Sequence, residues 1–201
     1  SQGNVWNSVH NGDGKIRKVT DSLGHVTKYR YDSLGSLISS VKEGRLENQS
    51  IRYQRNLLGQ VEAVTNALGH TEYFDYDSSG HVIRKLDREG HETCFDYSLT
   101  GQLNQIKYAD GNQVNFKYDD LRRLKEVSDW IGRTELNWGV QNHLASVIDY
   151  KERKVAYEYT SMGQLSKMVY PDGKKVSYSY DDCLRLSRLT DENRSIQYDY
   201  N

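Results

Sequence analysis

Apolar and polar residues alternate along most of the chain. The clearest stretches are Thr27-Tyr29-Tyr31, Thr93-Phe95-Tyr97, Val114-Phe116-Tyr118, Val155-Tyr157-Tyr159, Val176-Tyr178-Tyr180 and Ile196-Tyr198-Tyr200. In each, a β-branched residue and two aromatics occupy every second position. Residues between them, such as Lys28, Arg30, Asp96, Lys117, Glu158 and Ser179, are polar. Successive side chains of a strand point to opposite faces, so this alternation predicts strands with one apolar and one water-facing side, and excludes helix.

The strands recur. An anchor closes each of them at Tyr31, Tyr76, Tyr97, Tyr118, Trp138, Tyr159, Tyr180 and Tyr200, with His10 and Arg55 standing where the register calls for two more. The spacing is close to 21 residues, which marks a repeat architecture. Four residues after the anchor comes Gly35, Gly59, Gly80, Gly101 or Gly163, reached through Asp and small residues as in Tyr31-Asp32-Ser33-Leu34-Gly35. This reads as a tight turn in which Gly supplies positive φ. Arg122, Asn142 and Leu184 replace that Gly in three repeats.

A second strand follows, with aliphatics three apart such as Leu124 and Val127 or Leu186 and Leu189. An interval of three puts them on opposite faces of a regular strand, so either a bulge intervenes or the first lies in the turn. A second turn closes the unit, as in Asp21-Ser22-Leu23-Gly24 and Asn66-Ala67-Leu68-Gly69. Lys42 to Ser50 carries extra residues and is expected to be a bulged surface loop. The expected fold is therefore all-β: antiparallel two-strand units, about nine repeats and about eighteen strands, in a single array over residues 1–201.

Composition narrows the picture. Hydrophobic residues make up 36% of the chain, 16 residues are Tyr, and the 27 basic and 28 acidic residues leave a net charge of -1. With a mean hydropathy of -0.85, a thick dry core is excluded, and a thin two-faced β structure is what the composition suits. Near neutrality also argues against nucleic acid as a partner. No stretch has the 18 or so apolar residues of a membrane helix, so no membrane insertion is expected, and Ser1 to Asn7 lack the features of a signal peptide.

The recurring Gly, aliphatic, Asp-x-x-Gly, aromatic and Tyr-Asp, the last at Tyr31-Asp32, Tyr76-Asp77, Tyr118-Asp119 and Tyr180-Asp181, resembles the YD repeats of the Rhs family, found also in toxin-complex subunits, wall-associated bacterial proteins and teneurins. The resemblance implies a continuous β-sheet strip that curves or spirals into a hollow shell around a C-terminal toxin or cargo. It also implies that this chain is a fragment of a longer array in a secreted or surface-exposed bacterial protein. Its partners would then be the remainder of the parent shell and the enclosed C-terminal segment. An array cut at both ends would expose strand edges and self-associate through them.

Candidate chemistry is sparse. There is no G-x-S-x-G, HExxH, P-loop or dinucleotide fingerprint, so no enzyme activity, catalytic residue or cofactor is expected. His25, His70 and His91 follow the second-turn Gly in three repeats. Equivalent positions in successive repeats lie about 9.6 Å apart, too far to share one ion, so no metal is expected. Cys94 and Cys183 form no CxxC pair and read as ordinary side chains. The aromatic rows read first as a cross-strand ladder that holds the sheet. Trp6 and Trp130, outside the ladder register, are the candidates for ligand contact in the alternative reading, a module that binds carbohydrate or a receptor at the cell surface.

Overall fold

In a computed structural model, which describes residues 6–44 and 48–200, the described residues form nineteen antiparallel strands in meander order and no α-helix. The all-β reading holds. The fold divides into two compact units, Ser1–Asp96 with Tyr108–Asp110, and Tyr97–Lys107 with Gly111–Asn201.

The first unit runs through β1 (Asn7–His10), β2 (Ile16–Thr20), β3 (Val26–Tyr31), β4 (Leu37–Lys42), β5 (Gln49–Arg55), β6 (Val61–Thr65), β7 (Thr71–Tyr76), β8 (Val82–Leu86) and β9 (Glu92–Tyr97). The second runs through β10 (Leu103–Tyr108), β11 (Gln113–Tyr118), β12 (Leu124–Ser128), β13 (Arg133–Trp138), β14 (Leu144–Ile148), β15 (Lys154–Tyr159), β16 (Leu165–Val169), β17 (Lys175–Tyr180), β18 (Leu186–Thr190) and β19 (Ser195–Gln197). Within each unit every strand pairs with the next in sequence.

The aliphatics three apart are reconciled by a bulge. Phe116 faces Val127 and Lys117 faces Glu126, but Tyr118 faces Leu124, so β12 carries one extra residue opposite the anchor. That residue returns Leu124 and Val127 to the same face. The same shift occurs at Tyr31, Arg55, Tyr76, Trp138, Tyr159 and Tyr180, and at His10. An anchor and a bulge therefore go together, and the bulge is part of the repeat.

The turns follow the Asp. Asp119 N–H donates to the Arg123 carbonyl at 2.9 Å and Arg122 N–H returns to the Asp119 carbonyl at 2.8 Å. The Asp119 carboxylate accepts from the N–H groups of Leu121 and Arg123 at 2.9 and 3.0 Å. Such a three-residue loop needs a left-handed residue at its third position, three residues after the Asp. Gly35 and Gly163 take it at φ 79° and 84°, and Arg122, Asn142 and Leu184 take the same conformation at 62°, 63° and 63°. At Arg122 and Leu184 the residue changed and the turn was kept, with Leu184 N–H on the Asp181 carbonyl at 2.9 Å. At Asn142 the turn itself changes: Gln141 is left-handed too, at φ 55°, His143 N–H bonds to the Val140 carbonyl at 3.3 Å, and Gly139 stands in place of the Asp and offers no side-chain acceptor.

The insertion departs from expectation. Lys42 pairs with Gln49 and Val41 with Ser50, in unbroken register with the rest of β4 and β5. The ladder of β4 and β5 thus takes in Lys42, Gln49 and Ser50, which were expected in the loop, and of the described residues in the stretch between the two strands Glu43, Gly44 and Asn48 lie outside it. Residues 45–47 of that stretch, like Ser1 to Val5, lie outside the described residues.

No thick interior forms. Among the described residues only Ala63 and Ser146, each 4% exposed, are buried, and no large side chain is fully covered. Stability thus rests on cross-strand pairs over a half-buried face, as in the rung Tyr157, Met168 and Val176.

Candidate functional site

The anchors from Tyr31 to Tyr180 end their strands where the hairpin opens, Tyr200 follows three residues after the end of β19, and their polar tips turn back into the sheet. Tyr31 Oη donates to the Ile16 carbonyl at 2.8 Å, Tyr76 to Val61 at 2.7 Å, Tyr118 to Leu103 at 2.9 Å, Tyr159 to Leu144 at 3.0 Å, Tyr180 to Leu165 at 2.9 Å and Tyr200 to Leu186 at 2.8 Å. Trp138 Nε1 makes the same bond to Leu124 at 2.8 Å. In every case the acceptor is the first residue of the preceding strand. Tyr97 ends β9 at the same position. Burial pushes the Tyr159 phenol above its ordinary pKa, which keeps it a donor. Arg55 imitates the arrangement less well: one guanidinium nitrogen reaches the Leu37 carbonyl at 3.4 Å, and its buried Nε has no partner among the described residues.

A second row of contacts escaped the sequence reading. The residue after the first-turn left-handed position reaches forward to the same position of the next repeat. Gln102 Nε2 donates to the Arg122 carbonyl at 3.2 Å, Gln164 Nε2 to that of Leu184 at 3.3 Å, and Lys15 Nζ to that of Gly35. Arg123 donates to the Asn142 side chain at 3.1 Å. Cationic or ring side chains at this position lie over the next anchor ring: Arg123 is 5.2 Å from the Trp138 centroid, Arg185 is 4.5 Å from Tyr200, Lys15 is 5.6 Å from Tyr31, and His143 stacks on Tyr159 at 4.5 Å. A cation over an aromatic face contributes about 0.5–1 kcal/mol at exposed sites. The signal was present in sequence, since Lys15, Gln60, Gln102, Arg123, His143 and Gln164 are all long donors at one repeat position.

The histidines have turn partners. His25 Nδ1 lies 2.8 Å from Asp21, His81 Nδ1 2.9 Å from Asp77 and His91 Nδ1 3.3 Å from Asp87, where Arg123, Arg153 and Arg185 pair with Asp119, Asp149 and Asp181 in other repeats. His70 donates its backbone N–H to Asn66. The hydrogen bond from Arg123 is the main cause that holds the Asp119 carboxyl below its usual pKa, and the His25 ring does the same for Asp21. Asp87, Glu89 and His91 bring ligand atoms within 4.8 Å of one another, but the Asp87 carboxylate is engaged by its own turn.

This repeat geometry has a counterpart in known proteins. The teneurin YD-shell family model matches residues 4–135 and 49–201. The chain belongs to the teneurin YD-shell family. Similar solved YD-shell folds include the TcdB2-TccC3-Cdc42 crystal structure (TM-score 0.63, 12% identity, 92% of this chain and 13% of that one). The Photorhabdus luminescens Tc holotoxin pore matches at TM-score 0.63 and 12% identity, over 92% of this chain and 12% of that one. The chain thus spans about an eighth of the length of these structures. No curated protein matches in sequence.

Within the YD-shell frame the remaining candidates are scattered. Trp6 precedes β1 and is 65% exposed, and Trp130 sits in the second turn after β12 at 59%. Each stands in a different compact unit. Cys94 is half-buried in β9, and Cys183 is exposed in a turn, where its N–H caps Asp181 at 2.9 Å. The structure gathers the predicted anchors and glycines into one repeated constellation, and it gathers neither the tryptophans nor the cysteines with anything comparable.

Proposed function

We propose that this YD-shell segment is a non-catalytic length of wall in a secreted or surface-exposed bacterial protein, whose complete shell encloses a C-terminal toxin or other cargo. The observation that carries the reading is where the repeat directs its side chains. Anchor tips close the hairpin behind them, and post-turn donors grip the repeat ahead, so the specific contacts of each unit are made to its neighbours. That is the arrangement a scaffold requires and a ligand site does not. Tyr31, Tyr76, Tyr97, Tyr118, Trp138, Tyr159, Tyr180, Tyr200 and the turn glycines are the residues on which the wall depends.

The test is the size of the native polypeptide, found by probing secreted, envelope and soluble fractions with an antibody to this segment. A wall segment gives a band far above 23.3 kDa in the secreted or envelope fraction, with a separable C-terminal piece. A soluble band near 23.3 kDa overturns the reading. In that case saturable quenching of Trp6 and Trp130 fluorescence by oligosaccharides would identify a glycan-binding module instead.

A further inference from the structure

Across most of the molecule the water-facing rungs balance their charge. Arg84 lies between Asp75 and Glu92, Lys167 pairs with Glu158 at 3.1 Å, and Lys117 pairs with Glu126 at 2.9 Å. One place in the first unit does not follow. Lys18 of β2 stands directly opposite Lys28 of β3, in a row that continues to Val9 on one side and Val41 on the other. Like charges directly opposed across a ladder destabilise it. Arg30 lies two residues from Lys28 on the same face, and Arg17 is the extra residue of the β2 bulge, between the partners of Val9 and His10.

These cations share a concavity. Arg17, Lys18, Lys28 and Arg30, with Tyr29, Val9, Val41, Glu43 and Asn48, line a groove of about 700 Å³. Among the described residues Glu43 is its one acidic side chain, and it pairs with Lys28. Arg17, Lys18 and Arg30 make no side-chain hydrogen bond or ion pair with the described residues. Among the described residues, four cations in one groove thus face a single carboxylate. The volume falls in the range of small-molecule sites, about 300–1,000 Å³.

We propose that the β2–β3 groove binds a small ligand bearing a tetrahedral oxyanion, a phosphate or a sulfate ester. Lys18 and Lys28 hold the anion between them, and Arg17 and Arg30 supply forked N–H donors to its oxygens. Occupation removes the repulsion between the lysines, so ligand binding and local stability rise together. The shell role is independent of this site, since none of these four cations belongs to the anchors or the turns.

The experiment is isothermal titration of the chain with inorganic pyrophosphate and, separately, with a disulfated disaccharide, at an ionic strength held constant with potassium chloride. Saturable one-site binding of either probe is expected, and which probe binds tells the phosphate source from the sulfated-sugar source. K18Q/K28Q should weaken the binding about tenfold or more, the scale of losing a charge-assisted hydrogen bond. K125Q/K154Q, which removes two exposed lysines of the second unit, should leave it unchanged. Without ligand, K18Q/K28Q should melt no lower than the parent, and R17Q/R30Q supplies the same reading if that variant fails to fold. Absence of saturable binding by both probes, or equal binding by a folded groove variant, overturns the proposal.

Discussion

Glu126 and Glu135 face each other across β12 and β13, as Lys18 and Lys28 do across β2 and β3. Each rung stands two residues before the end of its first strand, β12 or β2, yet they are treated differently. Lys117 reaches Glu126 at 2.9 Å, and Arg133 reaches Glu135 at 2.6 Å and Glu126 at 3.9 Å, so the acidic rung is flanked by cations on both sides. The basic rung has Glu43 alone, on Lys28. The turn that closes β12 and β13 is one residue shorter than the one that closes β2 and β3, but the anchor beyond each rung makes the same bond, Tyr31 to the Ile16 carbonyl and Trp138 to that of Leu124. The contrast separates a frame, which the repeat holds constant, from a face, which each repeat writes for itself.

The frame should be the costlier to damage, and equally so near either rung. Tyr118→Ala removes a half-buried ring and its carbonyl bond and is expected to lose about 2–3 kcal/mol. Tyr31→Ala, beside the lysine rung, should fall by a similar amount; an unchanged melting temperature in either would sink the anchor assignment. The frame can also be improved. Leu184 is a bulky residue at φ 63°, a conformation that costs a side chain about 1–2 kcal/mol, so Leu184→Gly should raise stability by up to about 1 kcal/mol in urea titrations once backbone entropy is subtracted.

Changes to the face should be smaller and of opposite sign at the two rungs. Stripping the acidic rung of its cations with K117Q/R133Q is expected to lose about 1 kcal/mol, the scale of two exposed pairs. Lys18→Glu, which gives Lys28 an opposite charge, should gain about 0.5 kcal/mol. Equal responses would mean that the rungs do not differ. The smallest effect at neutral pH belongs to Asp119→Asn, which keeps the turn acceptor. The Asp119 carboxyl is held below its unfolded value, chiefly by Arg123, so its contribution is complete above the ordinary carboxylate range and is lost as pH falls through the lowered value. The slope of melting temperature against pH below 4 should therefore be shallower in the Asn variant.

Much of the frame could be read from sequence because its signals are local and repeated. A period of two in Val155-Tyr157-Tyr159, an Asp three residues before a glycine, and a fixed interval between anchors each constrain the backbone directly. The turn at Leu184 could be placed even without its glycine, since its neighbours kept the register. The interval between Leu124 and Val127 left two readings open, because a bulge is a property of a pair of strands and appears only when both are present. The extension of β4 and β5 was missed for a related reason: the added residues were counted, but their pairing depends on the partner. The lysine groove was hidden most completely. Lys18 and Lys28 are ten residues apart and unremarkable until the register sets them face to face.

The forward reach of the post-turn side chains gives the molecule an arrow. Lys15, Gln102, Arg123 and Gln164 all extend toward the later repeat, never the earlier. Each unit is thus a socket for the one before it and a plug for the one after. A duplicated or deleted unit would restore every junction without adjustment, which lets such an array change length during evolution by whole units. An inverted unit would find no mate on either side.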